Sequence, residues 1–71
     1  MIVYTLPNCT KCDFTKRTLD SMNAKYEVRP FDDEAMSIAK EHGVQSAPLV
    51  VVGDVVWGDL RINLIKEHAI V

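Results

Sequence analysis

Short apolar runs and helically spaced apolar residues alternate along this chain. Four runs rich in β-branched and aromatic residues, at 2–5, 26–29, 49–52 and 55–57, predict β-strands. The dipeptide Gly53-Asp54 separates the last two runs and is typical of a two-residue hairpin turn. The pattern therefore predicts two separate strands followed by a β-hairpin.

Between these runs, apolar residues recur at the spacing of an α-helix. A first helix is predicted from Thr10 to about Met22, and a second from a cap at Asp32 or Asp33 to a stop at Gly43. The predicted buried stripe of the first consists of Cys12, Thr15, Leu19 and Met22. One face of the second consists of Ala35, Ile38, Ala39 and His42. The spacing of the last group, which consists of Leu60, Leu64, Ile65 and His68, predicts a third amphipathic helix.

The predicted element order is β-α-β-α-β-β-α, an α/β fold in a single domain over residues 1–71. The first β-α-β unit should be parallel with a right-handed crossover, because parallel connections almost always have that hand. The hairpin then adds two strands to the same sheet. We expect a four-stranded mixed sheet flanked by three helices.

Composition excludes several classes of function. The net charge is −2 and the basic residues are scattered, so no nucleic-acid surface is expected. No apolar stretch approaches the ~18 residues of a membrane span, so no membrane association is expected. The N-terminal MIVYT has no basic region and no small-residue cleavage site, so it does not resemble a signal peptide. We therefore expect a cytoplasmic protein, where static disulfides are rare.

The two cysteines of the chain, Cys9 and Cys12, have three possible uses. A structural disulfide would close so short a loop that it would constrain the unfolded chain little. A structural zinc site needs about four ligands, and its histidines usually lie about three to five residues apart. His42 and His68 are much farther apart in the sequence. The third use, a dithiol redox centre, agrees best with a C-x-x-C motif beside a β-α-β pattern.

The position of the motif predicts different roles for the two thiols. Side chains at i and i+3 lie on one face of a helix, so a small adjustment can close or open a disulfide. Cys9 falls near the N-terminus of the predicted helix, where free N–H groups and the helix dipole favour a thiolate. Lys11 adds positive potential nearby. We expect Cys9 to be the attacking nucleophile and the buried Cys12 to be the resolving thiol.

Five short motifs occur along the chain: Tyr4-Thr5, Cys9-Thr10-Lys11-Cys12, Thr15-Lys16-Arg17, Ala47-Pro48 and Trp57-Gly58-Asp59-Leu60-Arg61. Through these motifs, and over essentially its whole length, the chain resembles the NrdH-type redoxins, which are glutaredoxin-like proteins of the thioredoxin superfamily. The resemblance implies a thioredoxin fold and a dithiol–disulfide oxidoreductase that binds no cofactor. It also implies a monomer that takes electrons from thioredoxin reductase and passes them to class Ib ribonucleotide reductase.

The segment at 57–61 bears on the choice of reductant. NrdH-type redoxins carry W-S-G-F-R-P-D at 57–63. This chain keeps Trp57 and Arg61 but has Gly58, Asp59, Leu60, Ile62 and Asn63 in place of the others. Glutaredoxins carry a Gly-Gly pair and an Asp that hold glutathione. By that resemblance, Asp59 would face a glutathione carboxylate and Arg61 its ammonium, and both placements are repulsive. The resemblance therefore argues against glutathione as the natural reductant. A glutathione-dependent glutaredoxin is one alternative, and a non-catalytic interaction or metal-carrier module that uses the two cysteines is another.

The resemblance further implies a partner-binding surface around the cysteines, with a cis Ala47–Pro48 bond beside them. Ala47 would offer its backbone to an incoming peptide in the manner of an added strand. Trp57 is expected either at the rim of the site or packed in the hairpin. The predicted partner-binding residues are Thr10, Lys11, Ala47, Pro48, Trp57 and Arg61.

Overall fold

The computed structural model describes residues 1–68, which form four strands and three helices in the predicted order. The elements are β1 (Ile2–Thr5), α1 (Thr10–Ser21), β2 (Glu27–Pro30), α2 (Asp33–Glu41), β3 (Leu49–Val52), β4 (Val55–Gly58) and α3 (Ile62–His68). The sheet order is β2-β1-β3-β4. Strand β1 pairs in parallel with β2 and antiparallel with β3, and β3 pairs antiparallel with β4. The predicted mixed sheet and C-terminal hairpin are confirmed.

Alternating side chains of the sheet build an apolar layer on each face, as expected from the two-residue period of strands. On one face, Val3, Val50 and Trp57 lie on adjacent strands and pack with Leu19 of α1 and Ile65 of α3. The other face carries a second cluster, made of Tyr4, Leu49, Ala35 and Ala39. Leu19 and Ile65 are completely buried, so each stabilises the fold by about 1.5–3 kcal/mol.

The buried stripe predicted for α1 is confirmed, including its polar member. Cys12, Thr15 and Leu19 are buried and Met22 is partly buried. Thr15 is completely buried, but its hydroxyl donates a hydrogen bond of 2.9 Å to the Lys11 carbonyl one turn earlier. This bond removes most of the cost of burying the hydroxyl. In α2, His42 caps the C-terminus and is exposed, so its predicted place on the packed face was wrong.

Strand β2 begins one residue later than predicted, because Tyr26 is directed to α1. Its hydroxyl donates a hydrogen bond of 2.7 Å to the Asp20 carboxylate. Burial, together with that hydrogen bond, raises the pKa of Tyr26 to about 12. Pro30 belongs to β2 as its last residue, which is possible because β2 is an edge strand and needs no further N–H donor there.

Helix α3 begins later than predicted, at Ile62 rather than Leu60. Asp59 adopts a left-handed conformation with φ 68°, and its carboxylate accepts a hydrogen bond of 2.8 Å from the Leu60 N–H. This local turn separates Leu60 from the helix, although its side chain still packs on the core. None of the helices within residues 1–68 has the length and apolar character needed to cross a membrane.

Candidate redox site

The two cysteines form a disulfide at the start of α1. Cys9 is the N-cap residue, with extended backbone angles, and Cys12 lies in the first turn. Their Cα atoms are 5.2 Å apart, which is within the usual range for a disulfide. Cys9 is partly exposed, whereas Cys12 is only 1% exposed. A disulfide partner from solution can therefore approach the sulfur of Cys9 but not that of Cys12.

The helix terminus favours negative charge on Cys9. The Cys12 N–H donates a hydrogen bond of 3.1 Å to Cys9 Sγ, so this sulfur occupies the position that a capping oxygen usually takes. The positive end of the α1 dipole adds to this effect. A thiolate accepts such a hydrogen bond more strongly than a neutral sulfur does. The predicted placement of Cys9 at the helix N-terminus and of Cys12 on its buried side is confirmed.

An ion pair joins the cysteine turn to the loop after β4. Lys11 Nζ lies 2.7 Å from Asp59 Oδ1, and the two side chains are 55% and 45% exposed. The hydrogen bond from Lys11, followed by that from the Leu60 N–H, holds the pKa of the Asp59 carboxyl below its usual range. The Asp59 N–H donates to the Pro48 carbonyl at 3.1 Å. Asp59 therefore connects the cysteine turn with the start of β3.

No pattern in the sequence indicates this contact directly. The sequence predicts only that Lys11 adds positive potential near the sulfurs, and in the structure it pairs with Asp59. The resemblance gives a partial indication of the backbone there, because it aligns Asp59 with a glycine of the glutaredoxin Gly-Gly pair. A glycine position often requires a left-handed backbone, and Asp59 has that backbone.

The proline before β3 has the conformation that the resemblance implied. The Ala47–Pro48 peptide bond is cis. Pro48 is buried and Ala47 is partly buried, while Thr10 at the start of α1 is exposed. The Pro48 carbonyl is the acceptor for Asp59, which itself pairs with Lys11. This chain of contacts ties Pro48 to Lys11 in the cysteine turn.

Comparison with known proteins agrees with this geometry. The family model for glutaredoxin matches residues 1–57. The chain belongs to the glutaredoxin family. The glutaredoxin-like protein NrdH of Salmonella typhimurium is 31% identical over 67 residues, which cover 92% of this chain and 83% of that protein. NrdH of Escherichia coli K12 is 29% identical, with the same coverage of both chains.

A solved structure extends the agreement to three dimensions. The NrdH-redoxin of Escherichia coli is described as a glutaredoxin-like protein with a thioredoxin-like activity profile. It matches with a TM-score of 0.84 and 28% identity, over 93% of this chain and 90% of that one. The predicted thioredoxin fold and the NrdH-like resemblance are thus confirmed. The chain is a glutaredoxin-type redox protein whose two cysteines lie at disulfide distance.

In this member of the glutaredoxin family, Trp57 and Arg61 have very different surroundings. Trp57 is 5% exposed and packs in the core, with its ring centroid 5.6 Å from that of His68. Among residues 1–68, its indole nitrogen is buried without a hydrogen-bond partner. Arg61 is exposed just before α3. The packing accounts for the aromatic residue at position 57, and a contact between Trp57 and a partner stays a prediction.

A cleft of about 350 Å³ lies beside β4, between the loop at 42–46 and the residues at 57–59 and 61. Gly58 borders it and allows close packing of that loop. A Cβ at this position would lie 3.0 Å from the Ser46 carbonyl oxygen and would overlap with Val44 Cγ1. Gly58, the first position of the glutaredoxin glycine pair, is therefore required here by close approach and not by its backbone angles.

Gly58→Ala is expected to lower the free energy of unfolding by about 1–3 kcal/mol, the usual cost of overpacking. Urea denaturation monitored by circular dichroism measures the change. The double variant Val44→Ala with Gly58→Ala is the control, because removing Val44 Cγ1 relieves the main clash and should recover part of the loss. Unchanged stability of Gly58→Ala would contradict the close packing.

The structure also bears on metal binding. Within residues 1–68, no three side chains of His, Cys, Asp or Glu lie together in an arrangement that could hold a metal ion. Cys9 and Cys12 by themselves offer two sulfur ligands, fewer than a structural zinc site uses.

Proposed function

We propose that this protein is a dithiol–disulfide oxidoreductase that serves as an NrdH-type electron donor. Thioredoxin reductase reduces it, and it passes the electrons to class Ib ribonucleotide reductase. It works as a cytoplasmic monomer and binds no cofactor itself. The observation that carries the proposal is the asymmetric pair, with Cys9 accessible at a helix N-cap and Cys12 buried, in a chain whose relatives include NrdH proteins.

The reaction proceeds through a mixed disulfide. The Cys9 thiolate attacks one sulfur of the client disulfide, and the other client sulfur leaves as a thiolate that takes up a proton. Cys12 then loses its proton and attacks Cys9 Sγ, which releases the second client thiol and closes the Cys9–Cys12 bond. Two electrons and two protons pass to the client. The reductase returns two electrons, which come from NADPH through its flavin.

The residues around the cysteines receive the partner. Thr10 and Lys11 form the exposed side of the cysteine turn, and Pro48 is joined to that turn through Asp59. Ala47 pairs with an extended client segment through its backbone. Arg61 lies on the exposed loop beyond β4 and contacts the partner there. Trp57 packs in the core and contributes a partial contact.

The charges at this loop disfavour glutathione as the reductant. Asp59 and Arg61 stand where glutaredoxins hold the carboxylate and the ammonium of glutathione, and each carries the charge that repels its expected group. Lys11 neutralises Asp59 only partly at this exposed site, because solvent screens the pair. The repulsion reduces binding of the free tripeptide.

Reduction of the purified, oxidised protein by two electron sources tests the proposal. One reaction contains NADPH and thioredoxin reductase, and the other contains glutathione, glutathione reductase and NADPH. Free thiols are alkylated at timed intervals and counted by mass spectrometry. We expect rapid gain of two thiols with thioredoxin reductase and slow gain with glutathione. Rapid reduction by glutathione alone would instead support a glutathione-dependent glutaredoxin.

A further inference from the structure

The Lys11–Asp59 ion pair sits directly beside the redox-active turn. Lys11 lies between the two cysteines, and its ammonium is held 2.7 Å from the Asp59 carboxylate. The other charged pair of this region joins Asp13 to Lys16 at 3.5 Å, so Asp13 is engaged away from Lys11. Lys11 is thus matched with a carboxylate from a distant loop and not with the one in its own helix.

Contacts with the backbone constrain the Asp59 carboxylate independently of Lys11. Asp59 has φ 68°, donates its N–H to the Pro48 carbonyl and accepts the Leu60 N–H on Oδ1. These constraints leave its side chain little freedom, so it offers a defined position for the ammonium. Lys11 has a long flexible side chain that would otherwise sample many positions.

The charge of Lys11 matters most for the reduced protein. A disulfide is uncharged, whereas the reduced pair carries a thiolate on Cys9 for part of the time. A nearby unpaired ammonium stabilises that thiolate and with it the reduced state. A carboxylate that pairs with the ammonium offsets part of its charge, which weakens this effect and makes the reduced protein a stronger electron donor.

We infer that Asp59 is a positioning residue that pairs with Lys11 and thereby lowers the reduction potential of the Cys9–Cys12 pair. The inference deepens the proposed function, because a donor benefits from a lower potential, and it rests on the same cysteine pair. It does not depend on which reductase or client serves the protein.

Asp59→Asn is the variant that isolates the charge. Asparagine tolerates the left-handed backbone and can accept the same hydrogen bond from the Leu60 N–H, so the loop should be preserved. Lys11→Met removes the ammonium and keeps much of the side-chain length. The two single variants and the double variant form a double-mutant cycle. The cycle distinguishes the coupling between Asp59 and Lys11 from the effect of each charge alone.

The measured quantity is the equilibrium of each variant with dithiothreitol. In this exchange the protein disulfide takes two electrons and two protons from dithiothreitol, which closes to its cyclic disulfide. We expect Asp59→Asn to shift the equilibrium toward the reduced protein by about two- to fivefold, the range of an exposed ion pair. At about 30 mV per tenfold change, this is about 10–20 mV.

The shift should become clearly smaller in the Lys11→Met background, because no ammonium remains to be released. Asp13→Asn is the matched control, since it removes a carboxylate that pairs with Lys16, and its shift should be the same with and without Lys11. An Asp59→Asn shift that is absent, or equally large without Lys11, would overturn the inference. Slow reduction by thioredoxin reductase would overturn the proposed function but leave this result unaffected.

Discussion

Cys9→Ser is expected to reduce the disulfide reductase activity by more than about a thousandfold, because it removes the attacking sulfur. The partly exposed Cys9 is the sulfur that a client can reach, and the remaining Cys12 is 1% exposed. The loss is measured as the rate at which a protein disulfide is reduced, monitored by NADPH consumption in the presence of thioredoxin reductase.

The fold should survive this substitution, which makes the result interpretable. Cys9 is the N-cap of α1 and accepts the Cys12 N–H on its sulfur. Serine is among the preferred N-cap residues, so its hydroxyl can accept the same N–H. Thermal unfolding of the variant should therefore match that of the reduced wild-type protein. Full activity in a folded Cys9→Ser protein would contradict the role of Cys9.

Cys12→Ser is expected to accumulate the mixed disulfide with a client, because the thiol that resolves it is missing. Cys12 lies on the buried side of α1, with its Cα 5.2 Å from that of Cys9, so it is placed to attack Cys9 and not the client. Non-reducing gel electrophoresis should show one covalent adduct per chain, and dithiothreitol should release it.

Two further variants control the trapping experiment. The double variant of Cys9→Ser with Cys12→Ser should form no adduct, because it has no thiol. Cys9→Ser alone should form little adduct, since Cys12 is buried. If Cys9→Ser trapped the client as well as Cys12→Ser did, the two roles would have to be exchanged.

The sheet and the helices could be predicted because their signals are local. The run at 49–52 is apolar throughout, and Gly53-Asp54 marks its turn, so the hairpin was evident. The stripe of α1 was equally clear, since Cys12, Thr15 and Leu19 recur at helical spacing and are all buried. Such patterns depend on neighbours in the sequence, and tertiary contacts only reinforce them.

The element ends were less predictable because side chains from elsewhere decide them. Tyr26 is an aromatic residue of the kind that favours strands. Its hydroxyl instead donates a hydrogen bond to Asp20 of α1, and β2 begins after Tyr26. Leu60 fits the apolar stripe of α3, but the turn at Asp59 excludes it from the helix. In both places a single polar contact outweighs the local preference.

In the candidate site, too, local sequence patterns predicted one part and only tertiary contacts determine the other. The roles expected for Cys9 and Cys12 followed from their spacing and from the helix that begins beside them. The pairing of Lys11 with Asp59 could not be foreseen, because the two residues are far apart in the sequence and both are exposed. Exposed charged residues leave no hydrophobic pattern, so only the folded chain reveals which of them meet.

The most direct test of the proposed function reconstitutes electron transfer from NADPH to ribonucleotide reductase. The assay contains NADPH, thioredoxin reductase, this protein and class Ib ribonucleotide reductase, and it measures deoxyribonucleotide formation. We predict turnover that needs every component, consumes one NADPH per product and is lost with Cys9→Ser. Turnover that persists without this protein, or that requires glutathione in place of thioredoxin reductase, would contradict the account.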